Sequence, residues 1–385
     1  MEQIYMNYAS TSPAKSPQVT AALVDYMQQN QYLSAGRNFE GLDDTAIALR
    51  ARMALGELFG VKNPSHVLFG PGATAALNMV IQGVVRPGDH VLASSIEHNS
   101  VARPLHLLQQ RGVITVSWLP CAPDGTLDPA EVDRAVQKNT RLLVLSHASN
   151  VLGTVLPVQE CFARAKKHGL FTVLDSAQTA GAHPVALNDD TDVIAFAGHK
   201  GLRGLAGIGG FVVAPDAHKQ IEPWLVGGTG SSSHSLEQPT FLPDKFESGT
   251  PNTLGILSLG VSVPQLQEQG IDGLRKREQT LTQRFIDGAQ SLPLRVHGTQ
   301  NAAQSAALVS VSSPAHDSGV LARDLYDTHG IITRSGLHCS PLAHRTAGTF
   351  PEGTVRFSFG WESTEEEIDT ALAALEQLLA KPQQA

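Results

Sequence analysis

Apolar and polar positions along this chain change period in a regular rhythm. Val67-Leu68-Phe69 and residues 90–93, 114–119, 141–146, 170–174 and 192–196 read as strands, the last of them as a fully buried one. Between them helical spacing runs from the Gly70-Pro71-Gly72-Ala73-Thr74 turn through Val84, again after Ser100, over 128–137 and over 157–168. Strands alternating with helices imply right-handed crossovers and a mainly parallel sheet covered on both faces. Upstream, residues 4–9 alternate like a short strand, which Ser10-Thr11-Ser12-Pro13 breaks. Ser16-Pro17 then starts a helix with proline at its first position, turning Val19, Leu23 and Met27 toward a core, and a second helix covers 43–58. Downstream, one long helical connection is expected over 255–292. Strands at 306–311 and 355–359 and helices at 320–328 and 364–380 follow. The expected fold class is therefore α/β, with a large domain over 16–254 and a smaller α+β domain built from 1–15 and 255–385.

Composition narrows the function. The 385 residues, 42% hydrophobic, suffice for large cores in two or three domains. A net charge of −8 argues against a general nucleic-acid or membrane surface and leaves small molecules or proteins as partners. Met1-Glu2-Gln3 lacks the basic and apolar regions of a secretory signal, and no apolar run approaches a bilayer span, so a cytoplasmic protein is expected. Cys121, Cys161 and Cys339 form neither a disulfide framework nor a spaced metal motif, which fits a reducing compartment.

The chemistry centres on Lys200, which follows the apolar 192–196 run and precedes a glycine-rich stretch. A lysine at the end of a buried strand loses solvation and becomes a nucleophilic amine, although most lysines in loops are simply at the surface. Asp175 ends the apolar 170–174 run, where a carboxylate can pair with a pyridinium nitrogen and keep it protonated. A Schiff-base lysine with such an aspartate is the protein side of pyridoxal phosphate chemistry. The strings Asp175-Ser176-Ala177-Gln178 and Gly198-His199-Lys200 resemble the fold-type I pyridoxal-phosphate enzymes of aminotransferase class V, and within them the cysteine desulfurase and selenocysteine lyase group.

That resemblance covers nearly the whole chain and implies a set of roles. Lys200 carries the cofactor and moves protons, Asp175 meets the ring nitrogen and Gln178 the O3′. The turn before the 73–84 helix is an anion site by its free N–H groups and helix dipole. The resemblance puts the cofactor phosphate there, on Ala73 and Thr74; alone, the turn reads equally as a helix cap. His98, in Glu97-His98, matches the imidazole that stacks on the ring and can carry a proton. His199 reaches the phosphate, whereas Ala197 stands where many relatives have a serine or threonine donor. Asn150, in the Ser149-Asn150-Val151-Leu152-Gly153-Thr154 motif, contacts the substrate near its carboxylate and the O3′ side of the cofactor; an Asx turn is the rival reading. Thr250, in Gly249-Thr250-Pro251-Asn252, reaches across a homodimer interface to the partner's phosphate, or lies in a plain β-turn. Arg37-Asn38 departs from the family's active-site loop.

Cys339 divides the family. Gly336-Leu337-His338-Cys339 after Arg334 matches the short-loop, second group of desulfurases, in which a thiolate takes sulfur from the substrate. A cation such as Arg334 favours the thiolate. Arg356 matches the arginine that forks the substrate carboxylate. The resemblance implies an L-cysteine or L-selenocysteine substrate, with a sulfur-acceptor protein as a further partner. Three alternatives stay open: Cys339 as an inert thiol or a metal ligand beside His338 and His344; a class V lyase or aminotransferase in which Cys339 is incidental; and a scaffold without catalysis. With no fourth ligand evident, no metal is expected.

Overall fold

The computed structural model describes residues 3–13, 15–29 and 42–380. Arg37 lies outside the described residues. The first elements are β1 (Ile4–Tyr5), α1 (Pro17–Gln29), α2 (Leu42–Phe59), β2 (Val67–Gly70), α3 (Ala73–Val84), β3 (Asp89–Ser94), α4 (Asn99–Gln110) and β4 (Ile114–Leu119). Next come α5 (Ala130–Ala135), β5 (Thr140–Ser146), α6 (Val158–Lys167), β6 (Phe171–Asp175), β7 (Val193–Ala197) and β8 (Gly209–Val213). The remainder comprises α7 (Thr253–Gln269), α8 (Ile271–Gln290), β9 (Arg295–His297), β10 (Leu308–Ser312), α9 (Ser318–His329), β11 (Ile331–Ile332), β12 (Arg334–Gly336), α10 (Pro341–Ala347), β13 (Thr354–Ser358) and α11 (Glu365–Leu379).

Seven strands form one sheet in the order β2-β8-β7-β6-β5-β3-β4. β3 to β7 are mutually parallel, and β8 runs antiparallel to both β7 and β2. On β5, Leu142 and Val144 enter one apolar cluster with α3 and α4, while Leu143 and Leu145 enter another with α2, α6 and α7. Both faces are thus covered, which is why this strand shows no polar alternation. Phe59 of α2 stacks on Phe196 of β7 with ring centroids 5.5 Å apart.

Two elements differ from the sequence expectation. β8 lies in the glycine-rich stretch after Lys200, because glycine there serves close approach rather than a turn. A Cβ on Gly209 would stand 2.5 Å from the Phe196 carbonyl oxygen and 2.7 Å from the Gly72 Cα, so only glycine lets β8 pass beneath the turn that opens α3. The expected 255–292 helix is two helices, interrupted at Gly270, whose φ of +79° caps α7 and redirects the chain into α8.

A four-stranded antiparallel sheet, β12-β13-β10-β9, packs with α8, α9 and α11 around Met6, Phe285, Phe357 and Leu375. β1 pairs in parallel with β11, Ile4 opposite Ile331, so the first residues are laid beside the last third of the chain. That pairing carries Asn7 and Ser10 to Arg356 of β13.

Candidate active site

Ligands on open α/β sheets bind beyond the carboxyl ends of the strands. Here the segments leaving β2, β3, β5, β6 and β7 surround a cavity of about 190 Å³, whose wall includes Ala73, Thr74, His98, Asn150, Asp175 and Lys200. Gln178 and His199 line it as well. Asp175 pairs in register with Ala195 of β7, which brings the carboxylate and Lys200 to adjacent strand ends.

The buried Asp175 carboxylate accepts the Ala177 N–H at 2.9 Å and the Ser100 hydroxyl at 3.3 Å. Lys200 keeps some solvent contact through the cavity, yet its amine is enclosed by protein. Burial lowers it to about 8, with Arg356 and Arg334 adding to the effect while Asp175 and Cys339 oppose it. His98 caps α4: its Nδ1 accepts the Ser100 N–H at 3.0 Å, which places the proton of the neutral ring on Nε2. Burial, reinforced by Lys200, Arg334 and Arg103 against Asp175, holds His98 down at about 4. His199 is likewise lowered to about 4, by burial and then by Lys200 and Lys15, and its Nδ1 lies 3.1 Å from Thr11 Oγ1.

At the other end of the cavity α3 begins at Gly72 with no side-chain cap, leaving its first N–H groups free. Thr74 is exposed at this end. Below the site, Glu97 is fully buried against Ser94 and Ser146, and burial raises it to about 7.

Cys339, Arg334 and Arg356 are not in the cavity wall, yet all three act electrostatically on Lys200. Cys339 is exposed on the turn between β12 and α10, with its Sγ 3.5 Å from Arg334 Nη2. His338 and Cys339 both adopt left-handed backbone, φ +50° and +60°, a strained pair that the surroundings must hold. The Asn150 amide does much of that holding: Nδ2 donates to the His338 carbonyl at 2.7 Å and Oδ1 accepts the Ser340 hydroxyl at 2.6 Å. Asn150, expected near the substrate carboxylate and the O3′ side of the cofactor, lines the cavity, and its amide is engaged by the thiol loop. The Cys339 carbonyl accepts the Asn99 N–H at 2.9 Å. His338 and His344 stack with centroids 5.5 Å apart and bond to each other, to the Arg334 carbonyl and to Thr349. Among the described residues no group of three or more His, Cys, Asp or Glu is placed to hold a metal ion.

Arg356 is 1% exposed and has no carboxylate partner among the described residues. Its Nη groups donate to the Asn150 carbonyl at 2.8 Å, to Ser10 Oγ at 2.8 Å and to Asn7 Oδ1 at 3.2 Å, and its Nε has no partner. Burial, followed by Arg334, pulls it down to about 9. Thr250 is exposed and not in the cavity wall. Sequence reasoning missed Asn7, Ser10, Ser100 and the buried Glu97. Ser100 could have been read from its place at the start of α4, but Asn7 and Ser10 gave no signal because only the β1–β11 pairing brings them here.

An enclosed amine, a strand-end carboxylate and an uncapped helix N-terminus around one cavity define an enzyme that can condense with a carbonyl and hold an anion. The comparisons agree. The family model for aminotransferase class V matches residues 4–371. A cysteine desulfurase of Escherichia coli O157:H7 (strain EC4115) is 31% identical over 384 residues, covering 96% of this chain and 92% of the relative. A probable cysteine desulfurase of Pyrococcus abyssi is 28% identical over 389 residues, covering 98% and 94%. The apo structure of a cysteine desulfurase from Thermococcus onnurineus NA1 superposes with a TM-score of 0.92 at 28% identity, covering 98% and 95%. The chain belongs to the class V aminotransferase family, whose members depend on pyridoxal 5′-phosphate.

The cavity fits that cofactor. The free N–H groups of α3 beside Gly72 suit a phosphate, and Asp175 and Lys200, brought to one cavity from the ends of adjacent strands, suit the ring. No helix among the described residues is long and apolar enough to cross a membrane.

Proposed function

We propose that the chain is a cysteine desulfurase that converts L-cysteine to L-alanine and places the sulfur on Cys339, with L-selenocysteine as a second substrate. The observation that carries this is the exposed Cys339 thiol, 3.5 Å from Arg334 and held by a strained turn whose carbonyls are tied to Asn99 and Asn150. Bound pyridoxal phosphate supplies a protonated ring that withdraws electrons from the substrate α-carbon. Lys200 is the amine that would hold the cofactor and take the α-proton. Asp175, oriented by Ser100 and the Ala177 N–H, would keep the ring nitrogen protonated. Neutral His98 would serve the ring. Ala73 and Thr74, with His199, would hold the phosphate, and Gln178 the O3′. Arg356, buried without a counter-ion, pairs with the substrate carboxylate. Cys339 as thiolate attacks the substrate sulfur: an S–S bond forms, the C–S bond breaks, and its electron pair stays on the carbon fragment, which gains a proton to become alanine.

The proposal extends to the assembly. The chain works as a homodimer in which Thr250 reaches the partner's phosphate site, in the cytoplasm, handing sulfur to an acceptor protein. It divides into a large cofactor-holding unit and a smaller one carrying the Cys339 turn. Ile256, Leu259 and Val263 of α7 pack in the core of the large sheet, which supports counting α7 with the large unit, past the expected boundary at 254. The test is a panel of cysteine, selenocysteine, cystine and cysteine sulfinate scored for alanine and pyruvate, with mass analysis of Cys339. Alanine without a persulfide on Cys339 returns the chain to the lyase or aminotransferase reading.

A further inference from the structure

A second cavity, about 50 Å³, meets the active-site cavity at Lys200 and Gln178, which line both. Tyr8, Ser12, Arg203 and Glu278 complete its polar lining. Arg203 is 8% exposed, and its Nε and Nη1 have no partner among the described residues. The rest of the group is firmly held: Nη2 lies 2.8 Å from Glu362, and the guanidinium carbon is 5.2 Å from the ring centroids of both Tyr8 and Trp361. Its N–H bonds the Lys200 carbonyl at 3.0 Å, and its backbone is left-handed, φ +61°. Glu278, on α8 and 7% exposed, lines the same space without an ion pair to Arg203.

Two unpartnered guanidinium nitrogens on a residue lining a cavity that a buried carboxyl also lines, the two groups not ion-paired, call for a partner there. A water needs roughly 10–15 Å³ of such space and two to four polar partners, so this cavity has room for a few waters and none for an amino acid. We propose that Arg203 holds ordered water here and that Glu278 exchanges protons with the Lys200 amine through it. This rests on Lys200 acting as the base of the proposed reaction. In the forward step the Lys200 ammonium gives a proton to water, and the water gives one to the Glu278 carboxylate. Neutral amine and neutral acid result, no electrons move, and the reverse restores both.

Burial raises Glu278 to about 8, with Arg203 opposing, Glu362 reinforcing and the Trp361 backbone bond opposing. Lys200 is lowered to the same value, so passing the proton either way costs little. The other titratable groups here are Tyr8, pushed up to about 12 by burial and so still protonated, and Lys15, lowered to about 8 by burial and then by Arg203.

The test follows the α-proton. Holoenzyme turns over α-deuterated L-cysteine in ordinary water, and the deuterium retained in alanine is measured. The parent is expected to retain little, because Lys200 exchanges its deuterium through the second cavity. Glu278→Gln, which keeps the shape and cannot accept the proton, is expected to retain about threefold more. Equal retention in parent and variant, or full retention in the parent, overturns the inference. Lys200→Ala is the control: turnover by that variant shows that the underlying reading has failed, whereas an inactive Lys200→Ala with unchanged retention in Glu278→Gln sinks this inference alone. Should Glu278→Gln not fold, a crystal structure of the cofactor-free parent decides. Water within hydrogen-bond distance of Arg203 Nη1 and the Glu278 carboxyl is expected, and a dry cavity or a direct Arg203–Glu278 contact overturns the proposal.

Discussion

Lys200 and Asp175 reach one cavity because β6 and β7 pair in register, and their roles separate under mutation. Lys200→Ala is expected to lose the borohydride-reducible bond to the cofactor and to lower turnover by on the order of a thousandfold or more. Asp175→Asn keeps the cofactor and loses roughly a hundredfold or more in rate, since an amide does not stabilise a pyridinium charge; near-normal turnover shows the pairing to be wrong. Cys339→Ser separates the thiol from the cofactor. Selenium leaves far more readily than sulfur, so the variant should bind pyridoxal phosphate normally, fail on cysteine and keep a substantial part of its rate on selenocysteine. Glu97 supplies a prediction in pH. Its folded value, about 7, is raised above the ordinary 4.5, so a buried charge burdens the fold above pH 7 and the burden disappears as pH falls to 4.5. Glu97→Gln carries no such charge, so its stability relative to the parent should rise between pH 5 and pH 8, by up to ~3 kcal/mol, followed by denaturant unfolding at each pH. A constant difference would show that Glu97 is not titrating there.

At the scale of elements, the β12–α10 turn and the α3 N-terminus set what the residues can do. Two left-handed residues in succession present the thiol, and the Asn150 amide ties the backbone on one side of Cys339 and the side chain on the other. Asn150→Ala removes both bonds and leaves a buried carbonyl and hydroxyl short of partners. Persulfide formation on Cys339 should fall by about tenfold or more while cofactor affinity stays near the parent value. If cofactor affinity falls and sulfur transfer does not, Asn150 serves the ring and not the turn. Such an element is invisible to periodicity: Leu337-His338-Cys339-Ser340 has no repeat, and its shape comes from contacts with α4 and the loop after β5. β8 escaped for a related reason, since Gly209 is demanded by the approach of Gly72 and Phe196 and Gly210 by that of Leu68, contacts that periodicity does not show.

For the whole molecule, the β1–β11 pairing lays the first residues beside the last third of the chain and so brings Asn7 and Ser10 to Arg356. The proposed homodimer predicts a sedimentation mass near twice the chain's, and Thr250→Ala should weaken cofactor binding without changing that mass. The sequence by itself determined the alternation of strands and helices, the ends of the strands, and the strings around Lys200, Asp175, His98 and Cys339. Apolar period and turn residues are local, and reactive side chains cluster where strands end. Only the tertiary structure decided that Asn150 holds the thiol turn, that Arg356 lies buried without a counter-ion, and that Glu278 and Arg203 share a cavity with Lys200. These depend on contacts between segments up to several hundred residues apart, and the free energy that fixes them is that of burying polar groups with partners the chain brings from elsewhere.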